Sequence, residues 1–436
     1  MAKVVDVKGA YYNGELPPGD TVFLRVPPGL EEFGHPEFDP GTGARNYWRV
    51  RRNMPGLRYA GKVWETYYTD WLLSEGFERT NVDRRLFIRR RGDRWLIAAV
   101  LVDDSLFLGC DAAEVDDFLV IWHAKFASSI TKAREDVITF GGINYYRKGS
   151  TVEVSCDRLL NELATLVRTH GSVRPEEVPM TQASFAAIRE ESEEESLVVL
   201  GAGEVSAAQT LLGLGGWITA NKALEATFAY SVLASRVTHY LTPTVWKAVL
   251  QWANYLVATK DLRLTFRANG AANEIAIVTD SSAHNAGAGK SWGGYVFAHA
   301  GGGDGEPTSG AFAVKCLTPK TVGGSSAATE LIMATEALKA CLGWRMLMAE
   351  IGFRCKGATR FGMDANAVLL GTKKEKVTRV MKYMAMRYAM MRDGVENGVI
   401  EPHKIDTELN CADLLTKPVV GDLFRQLRTL LLGLEL

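Results

Sequence analysis

Two adjacent carboxylates, Asp103 and Asp104, stand between the apolar runs Ala98-Ala99-Val100-Leu101-Val102 and Leu106-Phe107-Leu108. Valine, leucine and phenylalanine on both sides predict a β-hairpin with the two acids at its tip. Like charges at a bend between buried strands repel each other. Either a divalent cation or an Asx turn, in which the carboxylates accept from backbone amides, offsets that cost. Asp6, in the strand-like Val4-Val5-Asp6-Val7, adds a third acid. A second set lies downstream. Asp280 ends an apolar strand beginning at Glu274. Glu330 falls in the first turn of a long helix from about Ala328 to Ile351. Asp364 is the last residue of a strand over Thr359–Asp364, and Asp413 lies in a late helix containing Cys411–Leu415. Each set could converge on two divalent ions, because such sites need several oxygen donors while leaving room for substrate oxygens. Taken singly, each Asp is also readable as a helix cap or a surface charge.

The elements that must position these acids follow from pattern. Asp20–Val26 and Asn46–Arg52 read as strands, separated by a Pro/Gly-rich loop from Leu30 to Gly43. Lys62–Gly76 repeats Trp64, Tyr67, Tyr68, Trp71 and Leu72 at helical spacing, which core packing explains without further function. Arg84–Arg94 is a basic strand, and Asp111–Ser129 an amphipathic helix with an acidic start. Val137–Tyr146 and Thr151–Val154 form a hairpin around Arg147-Lys148-Gly149-Ser150. Asp157–Val167 is helical, Ile188–Glu195 a solvated linker, and Ala207–Ala258 a helical section rich in Ala, Leu and Trp. Strands at 292–298 and 311–315, a Met/Lys-rich helical stretch from Asn366 to Arg392 and the segment Glu401-Pro402-His403-Lys404-Ile405-Asp406 before the last helix complete an alternating α/β pattern.

A chain of 436 residues with 23% charged residues accommodates two to three globular domains. No apolar run reaches the roughly 18 residues of a membrane span, and the amino terminus does not read as a secretion signal. Six scattered cysteines form no C-x-x-C pair, which argues against zinc and a disulfide framework and for an intracellular, reduced protein. The net charge of −1 hides local bias. Arg45–Arg94 holds 13 Lys/Arg against 6 Asp/Glu, whereas Glu176–Glu204 holds eight Glu and one Arg. A basic early section can follow a phosphate backbone.

The ordered motifs resemble the reverse transcriptase and ribonuclease H region of a copia-type LTR retrotransposon polyprotein. Asp6-Val7-Lys8-Gly9-Ala10-Tyr11-Tyr12-Asn13-Gly14-Glu15-Leu16 is similar to the family's D-V-K-x-A-F-L-x-G-x-L, and Pro27-Pro28-Gly29 to its P-P-G. Met54-Pro55-Gly56-Leu57-Arg58-Tyr59-Ala60-Gly61-Lys62-Val63-Trp64 resembles L-Y-G-L-K-Q-A-P-R-A-W. Leu101-Val102-Asp103-Asp104 matches Y-V-D-D except at the aromatic, and Phe140-Gly141-Gly142-Ile143 stands where the family has F-L-G-I. Tyr255-Leu256 with Thr259, Thr279-Asp280, Lys290-Ser291 with Gly294-Tyr295, Ser325-Ser326 before Glu330, Met363-Asp364 and Ala412-Asp413-Leu414-Leu415-Thr416-Lys417-Pro418 continue in family order.

The resemblance implies an α+β and α/β chain: a partial polymerase palm/thumb-like region followed by a ribonuclease H-like domain. The expected divisions are 1–182 for the palm and following region, 183–270 for a helical connection and 271–436 for the ribonuclease H-like domain. It implies that Asp6, Asp103 and Asp104 bind two Mg²⁺ (or Mn²⁺) for nucleotidyl transfer, and that Asp280, Glu330, Asp364 and Asp413 bind two for cleavage of RNA in a hybrid. Tyr11 would exclude the ribose 2′-hydroxyl, and Gly56 and Arg58 would lie near template or nucleotide. The implied partners are an RNA template, a DNA primer, an RNA–DNA hybrid and deoxynucleoside triphosphates, with no membrane. The implied location is the cytoplasm, in a retrotransposon particle, or the nucleus. Leu101 replaces the family's aromatic, Ala328 replaces the first Glu of S-S-T-E-A-E, and no T-R-P-D or K-H-I-D run is recognisable. Only five residues precede Asp6, so the fingers that lie upstream in the family are expected to be missing and polymerisation by this chain alone is in doubt. The alternative reading is a catalytically degenerate remnant that binds nucleic acid or a protein.

Overall fold

The computed structural model describes all residues except 127, 131–135, 192–197, 269–273, 283–284, 287–289, 301–306, 365, 374–378 and 435–436. The chain forms two compact units, Met1–Ala133 and Arg134–Leu436. The boundaries expected at 182 and 270 both fall inside the second.

The first unit is built from β1 (Ala2–Val7), β2 (Phe23–Arg25), β3 (Tyr47–Arg49), α1 (Ala60–Ser74), β4 (Glu78–Arg79), β5 (Leu86–Arg91), β6 (Arg94–Leu101), β7 (Asp104–Gly109), α2 (Ala112–Lys125) and β8 (Ser128–Ile130). Six strands pair in the order β4-β5-β6-β7-β1-β8, all antiparallel. The aromatics of α1 pack with Phe107 of β7 and Phe118 and Trp122 of α2 in one core. Asp111 caps α2, its carboxylate accepting from Glu114 N at 2.8 Å, as an acidic residue at that position should. The predicted helix ends earlier than Ser129: Phe126 is already extended. Strands β2 and β3 form a separate two-stranded hairpin.

The second unit begins with β9 (Val137–Phe140), β10 (Ile143–Lys148) and β11 (Thr151–Ser155), then α3 (Asp157–His170), α4 (Gln182–Glu191), α5 (Ala202–Asn221), α6 (Thr227–His239), α7 (Pro243–Ala258) and β12 (Leu264–Arg267). The single strand expected over Val137–Tyr146 is two strands. Gly141 and Gly142, at φ of 59° and 79°, reverse the chain between them, a conformation that glycine adopts without steric cost. The expected linker at Ile188–Glu195 begins inside α4, where Ile188 is buried, and 192–195 lie outside the described residues.

The remainder is β13 (Ile275–Ser282), β14 (Trp292–Ala300), β15 (Pro307–Leu317), α8 (Ser326–Glu350), β16 (Thr359–Met363), α9 (Asn366–Lys373), α10 (Ala385–Glu396), β17 (Ile400–Lys404) and α11 (Gly421–Leu432). Its sheet runs β15-β14-β13-β16-β17, with the first three strands antiparallel and β16 and β17 parallel to β13. Helix α8 packs on one face, with Ile277 and Phe361 of the sheet in a shared core. Residues Cys411–Leu415, expected to be helical, form a 3-10 turn. No helix among the described residues is long and apolar enough to cross a membrane.

Candidate active sites

In the first unit the predicted hairpin is present, and its turn is unusual. Leu101 pairs with Asp104, leaving Val102 and Asp103 as a two-residue turn. Val102 has a φ of 57°, a region that β-branched residues rarely enter at a cost of about 1–3 kcal/mol. Two hydrogen bonds hold it there. Trp64 Nε1 donates to Val102 O at 2.7 Å, and Val7 N donates to Asp103 O at 3.1 Å. Beneath the turn, Tyr68 and Ser105 hydroxyls meet at 2.8 Å, and Trp122 Nε1 donates to Tyr68 Oη at 2.9 Å. The same pairing sets Asp6 directly opposite Asp104 across β1 and β7. Burial first, then Asp103 and Asp6, push the Asp104 carboxyl upward, as expected for acids sharing one site. Tyr11 lines a cavity of about 130 Å³ together with Trp64, Arg84, Arg85 and Val102. Gly56 and Arg58 lie in the turn before α1, and neither makes a hydrogen bond or ion pair to the three acids among the described residues.

Trp64 therefore has a task beyond packing, which its helical spacing alone did not reveal. Trp64→Phe keeps the ring but removes the donor from a strained carbonyl. It is expected to lower the stability of the first unit by about 1–2 kcal/mol and to speed hydrogen exchange at the Val7 amide. Denaturant unfolding with amide exchange measures both, and unchanged exchange at Val7 would mean that the turn holds without the indole.

The second unit brings its acids closer. Asp280, Glu330 and Asp364 each place one carboxylate oxygen within 4.8 Å of the others, the one such cluster of three among the described residues. The parallel pairing of Thr279 with Met363 sets Asp280 beside Asp364: Asp364 follows the last residue of β16, whereas β13, expected to end at Asp280, continues two residues further to Ser282. Glu330, just past the first turn of α8, accepts from Ser281 N at 3.1 Å, while Ser281 Oγ donates to Thr329 Oγ1 at 2.8 Å. Asp413 arrives on the 3-10 turn. Asn410 Nδ2 ties that turn to Thr279 O at 3.3 Å, and Thr416 Oγ1 donates to Asp280 Oδ2. Gly294, opposite Asp280 in the sheet, makes this approach possible: a Cβ there would lie 2.4 Å from Leu415 Cβ.

The charges are crowded. Burial, Asp280 and Asp364 push Glu330 up to about 9. Burial and Asp280 push Asp413 up to about 7, and burial with Asp280 also raises Asp364. Lys417 answers with an ammonium 2.9 Å from Asp413 Oδ2. Burial lowers its pKa, but Asp280, Asp413 and Asp364 outweigh that effect. Asp413 Oδ1 is buried and has no hydrogen-bond partner among the described residues. Converging acidic oxygens, one of them unpartnered, suit a hard divalent cation. Thr416 and Lys417 were visible only as letters of a motif, with no role attached. Their position three and four residues after Asp413 was the available signal.

Residues 1–180 match the family model described as reverse transcriptase (RNA-dependent DNA polymerase). The chain is 24% identical over 423 residues to the retrovirus-related Pol polyprotein from transposon RE2 of Arabidopsis thaliana, covering 95% of this chain and 26% of that one. It is 22% identical over 431 residues to the Pol polyprotein from transposon TNT 1-94 of Nicotiana tabacum, covering 96% and 30%. Over residues 1–180 the chain is therefore similar to copia-type retrotransposon reverse transcriptases. The chain spans under a third of the length of these copia-type relatives. Among solved structures, a foamy viral protease-reverse transcriptase in complex with RNA/DNA hybrid aligns at TM-score 0.47 and 11% identity, over 97% of this chain and 46% of that one. RNase H1 from Halobacterium salinarum aligns at TM-score 0.24 and 18% identity, over 33% and 94%. The fold itself agrees with the expected order, an antiparallel sheet bearing Asp6 and Asp104 followed by a mixed five-stranded sheet bearing Asp280 and Asp364.

Proposed function

We propose that this chain is the reverse transcriptase and ribonuclease H region of a retrotransposon Pol polyprotein, and that its second unit cleaves the RNA strand of an RNA–DNA hybrid. The observation that carries the reading is the cluster of Asp280, Glu330 and Asp364 with Asp413 beside it. These four acids would hold two Mg²⁺ or Mn²⁺ ions, which supply activated water and neutralise the scissile phosphate. The chain's own groups prepare the site. Ser281 N–H orients Glu330, Thr416 Oγ1 orients Asp280, and the Lys417 ammonium keeps the acids from dispersing. Recognition of the hybrid would rest on duplex shape and 2′-hydroxyls, with little sequence preference.

In the first unit, Asp6, Asp103 and Asp104 would hold the ions for joining a deoxynucleoside triphosphate to a primer 3′-hydroxyl on an RNA template. Tyr11 is assigned the discrimination against a ribose 2′-hydroxyl, and Gly56 and Arg58 a place near template or nucleotide. Incubation of the full chain with an end-labelled RNA strand in a hybrid and Mg²⁺ is expected to give RNA fragments, and Asp280→Asn to give none. Primer extension with an Asp104→Asn control tests the other half. Folded protein that binds hybrid without cleaving it would move the reading to a degenerate nucleic-acid-binding remnant.

A further inference from the structure

The β2–β3 hairpin carries a surface with no part in either carboxylate site. Its register pairs Phe23 with Arg49, Leu24 with Trp48 and Arg25 with Tyr47. Because side chains alternate along a strand, Phe23 and Arg25 share one face with Tyr47 and Arg49. The two rings lie on one diagonal and the two guanidiniums on the other. Phe23 is 59% exposed and Tyr47 54%. Arg25 and Arg49 are exposed, and among the described residues neither has a carboxylate partner. Arg45 shows the contrast: it is 2.7 Å from Glu37 and lies over the Phe38 ring. On the opposite face Trp48, 37% exposed, meets His35 edge-on at 5.3 Å. Arg51, two residues beyond Arg49, is also exposed.

Open rings flanked by uncompensated arginines match one partner chemistry. Unpaired bases present π-faces that stack on Phe and Tyr, and the backbone between them presents phosphates to Arg. A duplex keeps its base faces inside its own stack and offers only phosphate. We propose that the Phe23–Arg25–Tyr47–Arg49 face holds single-stranded nucleic acid, the rings stacking on bases and the arginines contacting phosphates. The inference rests on the nucleic-acid reading of this chain and is independent of whether either carboxylate site is active.

The test uses the full chain in EDTA, with a fluorescently labelled single-stranded RNA or DNA of roughly ten to sixteen nucleotides, near the upper range of strand-tracking sites. Anisotropy should report binding, and the double variant Phe23→Ala with Tyr47→Ala should weaken it by about tenfold or more. Arg25→Gln with Arg49→Gln should lower the slope of log affinity against log salt by roughly 0.7 per arginine. Phe23→Trp with Tyr47→Trp should restore the affinity, which separates stacking from a folding defect. A blunt duplex of the same length should be insensitive to the alanine pair. Absence of binding, or equal binding by the wild type and the alanine variant, overturns the proposal. Hybrid cleavage in Mg²⁺ is measured in parallel and is expected to be unchanged in these variants. Its loss in the wild type with strand binding intact would sink the nuclease reading alone.

Discussion

Glu330→Gln is expected to abolish cleavage of RNA in a hybrid and, in the same protein, to raise the thermal stability of the cation-free chain at neutral pH. The first effect follows from removing a charged oxygen donor from a cluster of three. A loss of roughly 10³-fold, about 4 kcal/mol of barrier, is the scale to expect. The second follows from linkage. Glu330 is pushed up to about 9 in the fold from an ordinary 4.5, by burial and by Asp280 and Asp364. The folded state thus holds a proton that the unfolded chain releases. Stability from this group is complete below pH 4.5 and is lost as pH rises toward 9. Glutamine carries no proton to lose. At pH 7 the variant should therefore gain on the order of 2–3 kcal/mol over wild type. Asp413, pushed up to about 7, and Asp364, also raised, act in the same direction and remain in the variant. Thermal scans in EDTA between pH 5 and 9 should show wild type falling more steeply than Glu330→Gln. Adding Mg²⁺ should raise wild type more than the variant. A variant less stable than wild type in EDTA at pH 7 would mean that the Glu330 carboxyl is not held under this strain.

Much of this geometry was legible in sequence because acids at the ends of apolar strands leave a clear signature. Asp280 and Asp364 each follow a short apolar run that reads as a strand, and parallel pairing then brings them together. The Asp103-Asp104 hairpin showed itself in the same way. What was hidden depends on contacts between distant segments. Gly294 looks like part of a Gly-rich strand until Leu415 is found 2.4 Å from where its side chain would begin. Trp64 reads as one more aromatic at helical spacing, yet its N–H reaches Val102 O, 38 residues away. The positive φ of Val102 leaves no trace in residue type, because valine is a residue that propensity would keep out of such a turn. Gly141-Gly142 did carry a signal, since paired glycines mark turns. The uniform β-preference of the flanking residues obscured it.

The basic run Arg89-Arg90-Arg91 conceals the second large effect. Read as a sequence, three arginines on a strand look like a surface for phosphate. In the fold β5 is buried through Phe87, Ile88 and Arg89 and emerges at its end, so Arg90 and Arg91 are exposed while the Arg89 side chain is 2% exposed. Its Nη2 is 2.9 Å from Glu114 Oε1, whose side chain is 4% exposed, and its guanidinium lies over the rings of Phe118 and Phe77 at 4.7 and 5.3 Å. Arg94 Nε reaches the other oxygen of Glu114 at 3.0 Å. This pair pins α2 to β5 in the sheet that carries Asp104. Glu114→Ala leaves the Arg89 charge buried without its partner, and a loss of about 3–5 kcal/mol is expected for the first unit. Arg89→Met combined with Glu114→Leu removes both charges and fills similar volume. That double variant should recover most of the loss, since a buried pair replaced by packed apolar side chains is often neutral or better. Denaturant unfolding of the single and double variants checks this. A double variant as unstable as Glu114→Ala would locate the cost in lost packing of α2. Recovery would locate it in the stranded guanidinium, and would show that the first arginine of a strongly basic run is core and the next two are surface.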